Sequence, residues 1–187
     1  MRFDASSEWQ KFKDALIQEL KATPFDDFKA IWGKGKVPDR TRFYKNKLLP
    51  KVAAELGYKF QPEFLLVDYS ILNADRVPVV FIESEHSAKS AVRETDKLCA
   101  VSSLVKVLFL CCPWADGSHD QFLPGWKERI ATHHKYFNHD AVYMIVVGEW
   151  GREKPKHDEI LRYYIESFDV FGNEIEPKEE LELSKPL

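Results

Sequence analysis

The sequence predicts an α/β fold, a mixed central sheet flanked by helices, in a single domain spanning 1–187. Three observations predict it. Amphipathic stretches with apolar residues three and four apart alternate with short β-branched and aromatic runs. Two of those runs, VKVLFLCC and AVYMIVVGEW, are apolar almost throughout, as strands covered on both faces are. A length of 187 residues with 44% hydrophobic and 30% charged content suffices for one core without disulfide staples.

The first helix is signposted by Ser7 as cap with Gln10 three residues on, and by Trp9, Phe12, Leu16 and Leu20; it should end before Pro24. Phe25, Phe28, Ile31 and Trp32 suggest a short second helix, after which two glycines and Pro38 predict a basic loop within the N-terminal part, 1–46. KNKLLPKVAAELG reads as a helix with stripe Leu48, Leu49, Val52, Ala53 and Leu56, Pro50 setting or kinking its first turn and Gly57 closing it. EFLLVDYSIL and VPVVFIESE then read as a strand pair joined by NADR. Helical spacing returns over SAKSAVRETDKLCAVSS, followed by the buried strand VKVLFLCC. PGWKERIATHHKYF supplies another helix, AVYMIVVGEW another strand, and LRYYIESFDVFGNEIE the last sheet segment. The order is αα-ββ-α-β-α-β-β, ending in an acidic tail, 177–187, expected to be solvated or frayed.

The formal net charge of −3 excludes a uniformly basic nucleic-acid coat, but the charge is uneven. Lys34, Lys36, Arg40, Arg42, Lys45, Lys47 and Lys51 against Asp39 give a local +6, a segment able to meet phosphates. From Arg152 onward the balance is −4. The GKGK run at Gly33–Lys36 lacks the spacing and the hydroxyl residue of a phosphate-binding loop. Cys99, Cys111 and Cys112 form no CxxC pair and read as reduced core thiols. His133, His134 and His139 are not spaced to put two ligands on one helical face. No signal-peptide pattern and no 18-residue apolar run is present, so a cytoplasmic protein with no membrane partner is expected.

Chemistry points to Asp68 on one predicted strand and Glu83 and Glu85 on the next. Strand alternation aligns Phe64, Leu66 and Asp68 in one row and Val79, Phe81, Glu83 and Glu85 in another, each row turning from apolar to acidic. In a hairpin register that sets Asp68 opposite Glu83, their Cβ atoms would lie about 5 Å apart. Two ionised carboxylates at about 4 Å repel by roughly 4 kcal/mol at an effective dielectric near 20, so they call for a proton, a basic partner or a divalent cation. Magnesium held by one or two carboxylates, waters and substrate phosphates suits phosphodiester hydrolysis.

Asp68 in VDYSIL, a fourteen-residue gap, Glu83 and Glu85 in FIESE, then an amphipathic helix and an apolar strand resemble the PD-(D/E)xK, or restriction-endonuclease-like, nuclease superfamily. The resemblance covers about 47–112 and implies an αβββαβ core, with Asp68 and Glu83 binding Mg²⁺ or Mn²⁺ and Glu85 as the third catalytic member. It also implies a possible metal-ligating acid, Glu55, on the preceding helix, and nucleic acid, DNA by the family's leaning, as partner, with a homodimer as a possible cutting unit. Val67 replaces the usual Pro, and Glu85 stands where the family usually has Lys. A Glu can take a ligand or general-base role but cannot offset negative charge. The missing cation is expected from the following helix, where Lys89, Arg93 and Lys97 are four apart; Lys97 is the catalytic candidate. Lys34, Lys36, Arg40, Arg42, Lys45 and Lys47 would track the phosphate backbone. The alternative is a catalytically inactive relative that binds nucleic acid or a protein.

Overall fold

The computed structural model describes residues 4–31, 36–112, 118–137, 140–151 and 160–183. Its helices are α1 (Ala5–Ala22), α2 (Phe25–Ile31), α3 (Val37–Phe43), α4 (Leu49–Glu55), α5 (Ala91–Ala100) and α6 (Ser118–His134). Its strands are β1 (Lys59–Phe64), β2 (Val67–Leu72), β3 (Pro78–Glu85), β4 (Val105–Cys112), β5 (Val142–Gly151), β6 (Ile160–Phe168) and β7 (Glu179–Glu182). All seven strands form one mixed sheet in chain order. β1, β2 and β3 are an antiparallel meander, β4 and β5 lie parallel to β3, and β6 and β7 turn back antiparallel. The expected α/β class and mixed sheet are therefore observed, with the two parallel steps bridged by α5 and α6 as crossovers require. Among the described residues no helix is long and apolar enough to cross a membrane.

Alternation splits the core into two layers. Ile71, Ile82, Val107, Phe109 and Val146 face the N-terminal helices, packing on Phe12, Leu16, Phe28, Tyr44 and Val52. Phe81, Leu108, Leu110, Tyr143 and Ile145 face α5 and α6, meeting Leu98, Cys99, Trp126 and Ile130. The two described free thiols, Cys99 and Cys111, are buried, as expected; the side chain of Cys112 and residue His139 lie outside the described residues.

Several local expectations are corrected. The first helix is capped by Asp4, whose carboxylate accepts the Ser7 N–H at 3.0 Å, so Ser7 is helical rather than capping. The basic loop is helical from Val37: Pro38 sits in its first turn, where a missing N–H costs nothing, and Arg40, Phe43, Tyr44 and Leu48 fall on one buried face. That helix continues into α4 through a π turn, Tyr44–Leu48, in which the Leu49 N–H reaches the Tyr44 carbonyl; the widened turn comes directly before Pro50, which a regular helix would not accommodate. The single strand expected from EFLLVDYSIL is two, because the chain reverses at Leu65–Leu66; β1 was not anticipated, and Leu66 leaves the row with Asp68. Val79 also leaves the row with Phe81, since a register shift beside it turns it toward the N-terminal helices. The tail contains β7, paired to β6 and anchored by buried Leu181; 184–187 lie outside the described residues.

Candidate active site

One end of the sheet gathers carboxylates from two strands and a helix. Tyr69 pairs with Ile82 and Ser70 with Phe81, and one further step along the same register sets Asp68 opposite Glu83, the pairing that the spacing allowed. Asp68 Oδ2 accepts the backbone N–H of Ser84 at 2.9 Å, which holds the carboxylate across the ladder. Glu83 is 0% exposed, on the face covered by α5. That helix seats Ala91, Thr95, Leu98 and Cys99 on the sheet, and its flank carries Glu94 and Lys97 back to the strand. Lys97 Nζ lies 3.2 and 3.3 Å from the two oxygens of Glu83 and also pairs with Glu94.

The electrostatics follow from burial. Desolvation comes first in pushing the Glu83 pKa far above the carboxylate range; its hydrogen bond with Glu94 and the charges of Asp68 and Glu94 add to this, and Lys97 pulls it back. Burial works against the Lys97 ammonium, but Glu94 and Glu83 outweigh it and hold its pKa above the ordinary value. Glu94 is the cluster member that the sequence motif does not include. Its signal was available: it stands three residues before Lys97, so the two share a helix flank.

These oxygens fit a hard divalent cation. Glu83 is a buried carboxyl with raised proton affinity, pressed against two others, a donor set that a proton, an ammonium or a magnesium-like ion relieves. Among the described residues no three His, Cys, Asp or Glu side chains converge on one point at ligand spacing. An ion here would be held by one or two carboxylates and complete its shell with water.

The remaining predicted residues divide. Glu85 turns back, its Oε1 accepting the N–H groups of His86 at 2.6 Å and Ser87 at 3.3 Å, so it stands beside the cluster without joining it. Glu55 is exposed at the end of α4 and is not brought to the site. α4 runs into β1 near Lys59, which pairs with Leu72, whereas Asp68 lies by the opposite end of β1, where Phe64 pairs with Val67. In that register Asp68 lies level with Glu63, four strand steps of about 3.3 Å from Lys59, which keeps Glu55 on the order of 13 Å away along the strand. Arg40 is 2% exposed, donating to the Ile31 carbonyl at 3.1 Å, and cannot present its guanidinium to a phosphate. Its charge is nonetheless felt at His86, whose pKa is lowered by burial first and by Arg40 second, against Glu85 and Asp68.

Lys34 lies outside the described residues. The other four predicted cations are on the surface and each meets an acid: Lys36 and Arg42 meet Asp39, Lys47 meets Asp27, and Lys45 meets Glu63 at the end of β1. Exposed pairs of this kind contribute about 0–1 kcal/mol, so phosphates can replace the acids. The chain matches no protein-family model, and no curated protein matches it significantly.

Proposed function

We propose that the chain is a metal-dependent nuclease with a restriction-endonuclease-like core, hydrolysing phosphodiester bonds of nucleic acid, DNA by the resemblance. The observation that carries the reading is Glu83: a carboxyl with 0% exposure, opposite Asp68 across the ladder and against Glu94 and Lys97 of α5. A buried carboxyl beside like charges costs stability, and such groups concentrate where chemistry uses them. The order α4-β1-β2-β3-α5-β4, with β4 parallel to β3, is compatible with the αβββαβ core that the sequence resembles.

Asp68 and Glu83 are the residues that would hold Mg²⁺ or Mn²⁺, which when bound polarises a phosphate and eases deprotonation of water. Asp68 is held in place by the Ser84 N–H, leaving its other oxygen for this role. Lys97 is 44% exposed, close enough to solvent to turn from Glu83 toward a phosphate and offset its developing charge. Lys97 thus takes the part that Glu85, in the usual Lys position, cannot.

The test is calorimetric titration of Mn²⁺ into wild type and Asp68→Ala, with and without a short duplex, beside a cleavage screen in Mg²⁺ and Mn²⁺. Metal binding lost in Asp68→Ala together with metal-dependent cleavage supports the reading; no metal binding even with DNA present overturns it. One observation favours a catalytically inactive binding module instead: Lys97 contacts both Glu83 oxygens and occupies the place beside them that a cation would take. That reading predicts nucleic-acid or protein binding without metal affinity.

A further inference from the structure

The turn between β1 and β2 combines two costs that stability alone does not explain. Phe64 pairs with Val67, leaving Leu65 and Leu66 as a two-residue loop with φ of 52° and 67°. Positive φ at both central residues is the pattern of a type I′ turn, which favours Asn-Gly because a side chain there strains the backbone. A leucine in the left-handed region costs about 1–2 kcal/mol. Glu63, just before, has φ 53°, so three non-glycine residues of four are left-handed. Leu65 is also 63% exposed and Leu66 93%, so neither gains burial in return. Strain of this kind concentrates where function maintains it.

The surroundings indicate the occupant. Leu66 is two residues from Asp68, about 7 Å along a strand, or roughly two base steps of 3.4 Å. On the other side, Lys45 contacts Glu63 at the foot of the turn, and exposed Arg42 and Lys47 continue that cationic helix. A tip of two leucines is too small to bury what a stable dimer requires. Apolar side chains on a strained, exposed tip beside cations match the wedges that proteins insert between base steps.

We propose that Leu65 and Leu66 form a wedge that unstacks a base step of a duplex lying across the Asp68 and Glu83 end of the sheet, making a locally opened or bent duplex the preferred substrate. This rests on the nuclease reading and adds its substrate class. The wedge also explains why the turn lacks Asn-Gly: those residues would stabilise the hairpin and remove the insertion.

The experiment compares wild type with the double variant Leu65→Asn, Leu66→Gly on short duplexes carrying 2-aminopurine at successive positions. Fluorescence is read in EDTA and cleavage in Mn²⁺. Wild type should raise the fluorescence severalfold at one or two positions. The variant should melt at higher temperature than wild type and give no rise. It should cut intact duplex about tenfold more slowly, the cost of removing one stacking interaction, and recover the wild-type rate on a duplex with a two-nucleotide bulge.

A variant that unstacks and cuts like wild type overturns the wedge, as does a wild type that binds and cuts without any fluorescence rise; both leave the nuclease reading standing. Folded wild type that neither binds nor cuts duplex, bulged or single-stranded substrates overturns both.

Discussion

Lys97 Nζ lies 3.2 Å from Oε1 and 3.3 Å from Oε2 of Glu83, joining the last turn of α5 to the end of β3 by a pair buried on the acid's side and open on the amine's. The geometry separates charge compensation from ligation. Lys97→Met should retain Mn²⁺ binding, since Asp68 and Glu83 remain, yet lower the single-turnover cleavage rate by about 10²–10³, the usual cost of removing a charge stabiliser. Lys97→Arg should recover part of that rate. Equal losses of metal affinity and cleavage in Lys97→Met would instead make the lysine part of the scaffold.

Glu83 should trade stability for function. Its folded pKa is raised above the ordinary 4.5, chiefly by burial, so above that pH the folded state binds more protons than the unfolded one. Stability from this group is present below the ordinary carboxylate pKa and is lost as pH rises toward the raised folded value. Glu83→Gln cannot ionise and should therefore be the more stable protein at pH 7–8, by about 1–2 kcal/mol or roughly 2–8 °C in Tm. The advantage should shrink toward pH 5, and the variant should bind no Mn²⁺. Thermal melts across that range check the sign.

The cationic helix should divide into phosphate-binding and supporting residues. Lys45→Ser with Lys47→Ser should weaken DNA binding similarly for all sequences and reduce the slope of log K against log salt by about 1–2, one for each phosphate no longer neutralised. Arg40→Ala should lower the Tm, because it empties a buried volume and leaves the Ile31 carbonyl without its donor. A change in salt slope on Arg40→Ala, in a protein that still melts normally, would place Arg40 at the nucleic acid after all.

What was legible in the sequence followed the strength of the periodic signal. β4 and β5 are apolar almost throughout, Gly57 closes its helix with φ 69°, and the Asp68–Glu83 spacing allowed only a narrow set of registers. The break at Leu65–Leu66 was invisible because no turn-forming residue marks it, and two leucines inside an apolar run read as strand. The helix over Val37–Phe43 was hidden for the opposite reason: Gly33, Gly35 and Pro38 punctuate its start, while the buried face of Arg40, Phe43 and Tyr44 includes a charge that hydropathy reads as surface. Lys106 escaped because burial of a charged residue is a tertiary fact, set by what the facing element supplies.

Lys106 gives the remaining prediction. It is 0% exposed on β4, its Nζ donating to the Tyr143 hydroxyl at 3.2 Å, and burial lowers its pKa from 10.5 to about 8, against a smaller opposing effect of Cys99. Between those values the unfolded chain binds more protons than the folded one, so this group makes stability rise with pH from about 8 toward 10.5. Below about pH 8 the cost is complete, with an upper bound of about 3 kcal/mol. Lys106→Met keeps the stem's packing without the charge and should be more stable than wild type at pH 7 by up to that amount. Burial raises the Cys99 and Tyr143 pKa values, which pulls stability the other way at alkaline pH, so the quantity to follow is the difference between the two proteins. In urea titrations from pH 7 to 9.5 the advantage of Lys106→Met should narrow steadily. A constant difference would mean that the ammonium is solvated in the fold and that Lys106 acts through packing and its Tyr143 hydrogen bond alone.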